Sequence, residues 1–106
     1  MNDYQNEAYK FAIYQNNLYP FLGLAEEAGE VAGIMAKRLR KLERDPLIFV
    51  PSEDTAYWHL VDELGDVLWM VAACCSELDV DMDKVMEMNL EKLEKRKANK
   101  EICDHE

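Results

Sequence analysis

Two stretches thirty-six positions apart share one pattern, and that pattern leaves few folds open to this chain. "GLAEEAGEVAGIMA" starts at Gly23 and "HLVDELGDVLWMVA" at His59. In register, Leu24 falls on Leu60, Glu26 on Asp62, Glu27 on Glu63, Gly29 on Gly65, Glu30 on Asp66 and Val31 on Val67. At about 100° per residue, Glu26, Glu27 and Glu30 occupy one arc of roughly 100° on a helix, and Asp62, Glu63 and Asp66 occupy the same arc on another. Ala25, Gly29, Ala32 and Ala36 form a strip of small residues beside the first arc, which suggests where a neighbouring helix comes close. A two-copy period is too short for a solenoid. Paired helices with carboxylates at their seam fit better.

Such a seam is unstable alone. Two like charges about 5 Å apart repel by roughly 3 kcal/mol at an effective dielectric near 20, so protons or a cation must relieve it. Hard divalent ions such as Mg²⁺, with Mn²⁺ as a substitute, prefer carboxylate oxygen, and no His or Cys shares the arc. His59, one turn before Glu63, is a candidate outer partner, although a lone histidine is more often an ordinary helix-end residue. A merely solvated acidic face would not account for the duplication, the glycines or the apolar surroundings.

The rest of the chain supports an all-α reading. It has 106 residues, enough for one domain over 1–106, with only four glycines and three prolines. Helix-favouring Leu, Ala, Met, Glu and Lys abound, and 49% hydrophobic content is too high for a disordered chain. The first helix is expected over about Asn2–Asn16 and ends at "NNLYP". The second is expected from Pro20 to Leu42, closing on the basic "KRLRK". Glu43 to Asp54 reads as a connector with "LIFV" as its packed middle, and Ser52 or Asp54 as cap of the third helix, which reaches Leu78. Asp81 caps a fourth helix over Met82–Lys97, and residues 97–106 form a fraying tail. The expected architecture is an antiparallel bundle of about four helices. So small a core favours completion by association of identical chains.

The formal net charge of −10 argues against nucleic acid or an anionic membrane as partner, though not against a small anion bridged by a metal. No apolar run spans a membrane, and "MNDYQNEAYK" does not read as a signal peptide. The three cysteines, Cys74, Cys75 and Cys103, read as reduced thiols, the first two as core. A cytoplasmic location is expected. On the fourth helix Asn89, Lys92 and Arg96 fall within an arc of about 60°, an amide and two cations on one line beside Val85 and Leu93. Spacing alone leaves two readings: one side of a polyphosphate grip, or a solvated face of Glu–Lys pairs.

The residues now assembled resemble the MazG-type nucleoside triphosphate pyrophosphohydrolases of the all-α superfamily. The family's EExxE followed by ExxD is matched by "EEAGE" at Glu26–Glu30 and "ELGD" at Glu63–Asp66, and the context extends through "NLEKLEKR". The resemblance implies Glu27, Glu30, Glu63 and Asp66 as Mg²⁺ ligands. Glu26, beside them, has two readings: it orients or deprotonates the water, or it only supports the ligands from behind. The resemblance also implies that Lys92, Arg96 and Asn89 contact the phosphates. Trp69, one turn after Asp66, offers a ring to stack on a base, although a tryptophan in "VLWMVAA" is more often core. The implied reaction is hydrolysis of a nucleoside triphosphate, dNTPs foremost, to monophosphate and pyrophosphate, for house-cleaning or pool control. The implied assembly is a dimer, or a tetramer built as a dimer of dimers. Two features depart from the family: a long spacer of thirty-two residues between Glu30 and Glu63, and Met70 where a tyrosine is common. Both bear on base preference. A di-iron bundle would need Glu-x-x-His, which neither His59 nor His105 supplies. The remaining alternatives are a dUTPase- or dCTPase-like member and a catalytically silent oligomerisation module.

Overall fold

The computed structural model describes residues 2–44 and 56–99, with only the backbone of 42–44. Four helices make up the secondary structure of these residues: α1 (Asp3–Tyr9), α2 (Tyr19–Arg44), α3 (Tyr57–Glu77) and α4 (Met82–Ala98). The expected connector from residue 45 onward, its "LIFV" segment, the Ser52 and Asp54 caps, Cys103, His105 and the tail from 100 lie outside the described residues.

α1 is shorter than its periodicity suggests. Asn2 caps it, its Oδ1 accepting from the Gln5 N–H at 3.0 Å. The helix stops at Tyr9 instead of Asn16, and two causes are visible. The Lys10 and Phe11 N–H groups bond to the Glu7 and Ala8 carbonyls, three residues back, so the last turn tightens. The Ala8 carbonyl also accepts from the Trp69 indole N–H at 3.0 Å, a tertiary bond that competes with helix continuation. Beyond it, Phe11 and Ile13 are exposed, so no apolar face rewards further helix.

α2 and α3 are the long elements, and α3 packs against both α1 and α2. That position explains why the C-terminal half of α3, "LWMVAACCSE", is apolar nearly all round. Met70, Ala72, Ala73, Cys74 and Cys75 are buried there. Both cysteines are free thiols, and burial pushes both up from the ordinary thiol range. They serve as core, as their apolar neighbours suggest. α3 begins after Ala56, which makes no side-chain capping bond.

The helices do not meet along the small-residue strip. Ala25, Gly29, Ala32 and Ala36 are exposed, and a Cβ added at Gly29 would meet nothing within 4 Å. The close approach is at Gly23, which is buried: a Cβ there would lie 2.8 Å from Met70 Sδ and Cε.

Asp81 caps α4 as expected, accepting from the Asp83 N–H at 2.9 Å. Asp79 turns the chain into α4 with a left-handed φ of 54°. Among the described residues α4 packs lengthwise on neither α2 nor α3, so within one chain they do not close a four-helix bundle. The radius of gyration is 17.0 Å, against about 13 Å for a compact domain of this length. Only the first residue of α4, Met82, is buried, within a cluster with Ala8, Ala72 and Cys75.

Candidate active site

Helical spacing aims the acids of α2 and α3 at one another. Glu27 lies one turn beyond Gly23, the point of closest approach, so it shares the face turned to α3. Glu63 lies seven residues before Met70 on the opposing face, and Asp66 one turn closer. Glu27, Glu63 and Asp66 each offer a carboxylate oxygen, and the three oxygens lie within 4.8 Å of one another. Glu30 stands beside them, close enough to Glu63 for that carboxyl to raise its own above the ordinary 4.5.

Exposed acids commonly cluster without a ligand, so burial decides what this cluster means. Glu27 and Glu63 are half-buried, and the Oε2 atom of each is shut off from solvent without a hydrogen-bond partner. An enclosed, unpartnered carboxylate oxygen is costly, and native structures rarely keep one without purpose. Two of them, on residues of one oxygen-only cluster, fit a hard divalent cation such as Mg²⁺ or Mn²⁺.

The shifts of Glu27 and Glu30 agree. Burial raises the Glu27 carboxyl above the ordinary 4.5, and the charges of Glu30, Asp66 and Glu26 add to it. Glu30 is raised chiefly by its hydrogen bond to Glu63 and by the charge on that residue; His59 opposes the rise. His59 Nε2 stands 3.4 Å from Glu63 Oε1 on the solvent side, the outer position expected from its spacing. Glu26 is exposed at the rim, its charge felt by both Glu27 and Glu30. Among the described residues, no lysine or arginine contributes to these shifts.

The structure therefore brings Glu26, Glu27, Glu30, Glu63 and Asp66 together. Among the described residues it does not bring Asn89, Lys92 and Arg96 to them within one chain, because α4 does not pack along α2 or α3. Asn89 and Lys92 are exposed and Arg96 half-buried. Trp69 is half-buried against the core cluster, its indole N–H bonded to Ala8 and its ring edge-on to Tyr14 at 6.4 Å. Tyr14 also lies against Tyr19, at 5.7 Å.

Two buried residues that join the helices escaped the sequence reading. Gly23 was readable in principle, since it stands four residues before Glu27 and shares its face. Gln5 was not: nothing local marks a glutamine in "NDYQNEAY" as the most deeply buried polar side chain of the described residues, at 1% exposure.

Comparison with known proteins agrees with this geometry. The profile of the MazG nucleotide pyrophosphohydrolase domain matches residues 15–100. Over 79 residues the chain is 42% identical to the Gene 37 protein of Mycobacterium phage L5. That alignment covers 74% of this chain and 64% of the relative, so the chain spans less than two thirds of the relative's length. No solved structure matches it. With the acid motifs inside the matched span and their side chains gathered at one seam, the chain belongs to the MazG nucleotide pyrophosphohydrolase domain family.

Proposed function

We propose that this chain hydrolyses nucleoside triphosphates, dNTPs foremost, to the monophosphate and pyrophosphate in a Mg²⁺-dependent reaction. The observation that carries the proposal is the pair of enclosed, unpartnered oxygens, Glu27 Oε2 and Glu63 Oε2, on residues of one carboxylate cluster within a MazG domain. Glu27, Glu30, Glu63 and Asp66 would hold the metal. When bound, it neutralises triphosphate oxygens and lowers the pKa of water.

The chain's own groups do the rest. Glu26, at the exposed rim, orients the attacking water and takes its proton. The water oxygen bonds to the α-phosphorus as the bridge to the β-phosphate breaks, and pyrophosphate leaves. Lys92 and Arg96 hold the phosphates, with Asn89 as hydrogen-bond partner; positioning and charge neutralisation are what such a transfer needs. Trp69 supplies aromatic surface toward the base.

The proposal extends to assembly and role. The chain acts as one domain and self-associates as a dimer or a dimer of dimers. The apolar residues of α4, Val85, Met86 and Leu93, are exposed in the single chain and would be covered in such an assembly. Among the described residues no helix is long and apolar enough to cross a membrane, in keeping with a cytoplasmic house-cleaning or pool-regulating enzyme.

The test is incubation with Mg²⁺ and a panel of canonical and modified NTPs and dNTPs, with products identified by ³¹P NMR. Monophosphate plus pyrophosphate supports the proposal and ranks the bases. Diphosphate plus orthophosphate would discard the scissile bond. Stabilisation by Mg²⁺ without turnover would leave a silent binding module.

A further inference from the structure

Lys92 and Arg96 lie on a helix that the rest of the chain touches mainly at its start, so whatever grips that start decides where they point. The grip is Gln5. Its Oε1 accepts from the Met82 N–H at 2.7 Å, while its Nε2 donates to the Val80 carbonyl at 3.0 Å and to Ser76 Oγ at 3.3 Å. One buried amide thus joins α1 to the end of α3, the turn and the first residue of α4. Asn2 flanks it on the solvent side, its backbone N–H donating to Asp81 Oδ1 at 3.1 Å and its Nδ2 to Asp83 Oδ1 at 2.7 Å.

We propose that Gln5 is a positioning residue for phosphate binding: it fixes the tilt and rotation of α4 and thereby places Asn89, Lys92 and Arg96. The inference rests on the reading that Lys92 and Arg96 hold the triphosphate. Rotation is set because Met82 is bonded through its N–H and inserted through its side chain beside Ala8, Ala72 and Cys75. Asn89 and Arg96 fall within about 40° of Met82 on the helical wheel, so the gripped face is also the working face. Tilt matters through leverage. Arg96 is fourteen residues beyond Met82, about 21 Å along the axis, and a change of about 10° at Met82 moves it by about 4 Å. A charge-assisted phosphate bond of about 2.8 Å does not survive that displacement.

The experiment uses the full chain and Gln5→Met, which keeps the volume and removes the three hydrogen bonds. Two readouts are taken: KM and kcat for the triphosphate turned over fastest, and Kd for inorganic tripolyphosphate with Mg²⁺ as a base-free probe. The expected result is a roughly tenfold rise in KM and Kd with kcat within about threefold. The rise in melting temperature caused by Mg²⁺ alone should stay unchanged, which a general loosening of the fold would not leave intact. Combined with Lys92→Ala, the change should add little, because both remove the same contact. An unchanged KM and Kd for Gln5→Met, or effects that multiply with Lys92→Ala, would overturn the inference. If Lys92→Ala and Arg96→Ala both leave KM and Kd unchanged, the phosphate-holding reading falls first and takes the role of Gln5 with it. Should Gln5→Met fail to fold, Asn2→Ala, on the exposed side of the same corner, gives the same readouts with the same expected direction.

Discussion

Replacing Glu63 by glutamine should make the protein more stable without metal and less stable with it. Glu63 and Glu27 each keep an enclosed oxygen without a partner, in a cluster whose ligand atoms lie within 4.8 Å of one another. Two like charges at that spacing repel by roughly 1 kcal/mol under water-like screening and about 3 kcal/mol at an effective dielectric near 20. Glu63→Gln removes one of the charges. The new amide can also donate to the neighbouring Glu30 carboxylate, which the Glu63 charge now opposes. The net gain for the metal-free protein is about 1 kcal/mol or somewhat more, which for a domain of this size raises the melting temperature by about 4 °C or more. With Mg²⁺ the order reverses. The wild type gains by binding linkage, about 2.7 kcal/mol at a hundredfold excess over Kd, while the variant lacks a charged ligand and gains little. The assay is a thermal melt of both proteins in EDTA and across a Mg²⁺ titration. A variant that melts below wild type in EDTA, or gains as much from Mg²⁺, would refute the reasoning from the enclosed oxygens.

The raised carboxyls predict a pH dependence of definite sign. Glu27 and Glu30 hold protons in the folded state to a higher pH than in the unfolded state, where 4.5 is ordinary. Their contribution to metal-free stability is therefore fully present below the ordinary carboxylate pKa and is lost as pH rises through the folded values. Melts in EDTA should fall over that window and flatten when Mg²⁺ is added; a rise instead would contradict the assignment. Asp81 has the opposite sign, its carboxyl lowered chiefly by the Asp83 backbone N–H, so its contribution disappears as pH falls below the ordinary 3.8, and Asp81→Asn should blunt that acid limb. Gly23→Ala should be nearly neutral in a thermal melt, because the better helix propensity offsets a contact that falls on the flexible end of Met70, whereas Gly23→Val should destabilise by about 1–3 kcal/mol. Trp69→Phe should cost about 1 kcal/mol through the lost bond to the Ala8 carbonyl, read by denaturant midpoint, with the Mg²⁺ stabilisation unchanged.

What the sequence determined by itself was whatever depends on local period and local chemistry. Acids at i, i+1 and i+4, written twice, specify two helices and the arc on each that carries carboxylates. Asp81 before Met82 specifies a helix start, and the Asp81 cap appears where it was read. The metal-binding type of cluster follows from oxygen-only chemistry. The carboxylates meet because Gly23, Glu27 and Glu63 share the interior faces of two adjacent helices. Tertiary structure decided the rest. The Trp69 indole bonds a carbonyl 61 positions away and helps stop α1 seven residues short of its expected end. The small strip at Ala25, Gly29, Ala32 and Ala36 faces solvent, and a single glycine makes the close approach instead. The turn into α4 is tied to α1 by Gln5 through bonds spanning 71 to 77 positions. Such bonds leave no period in the sequence. A helical pattern says which residues share a face, but which neighbour that face meets is an energy balance among distant groups, decided only when the chain has folded.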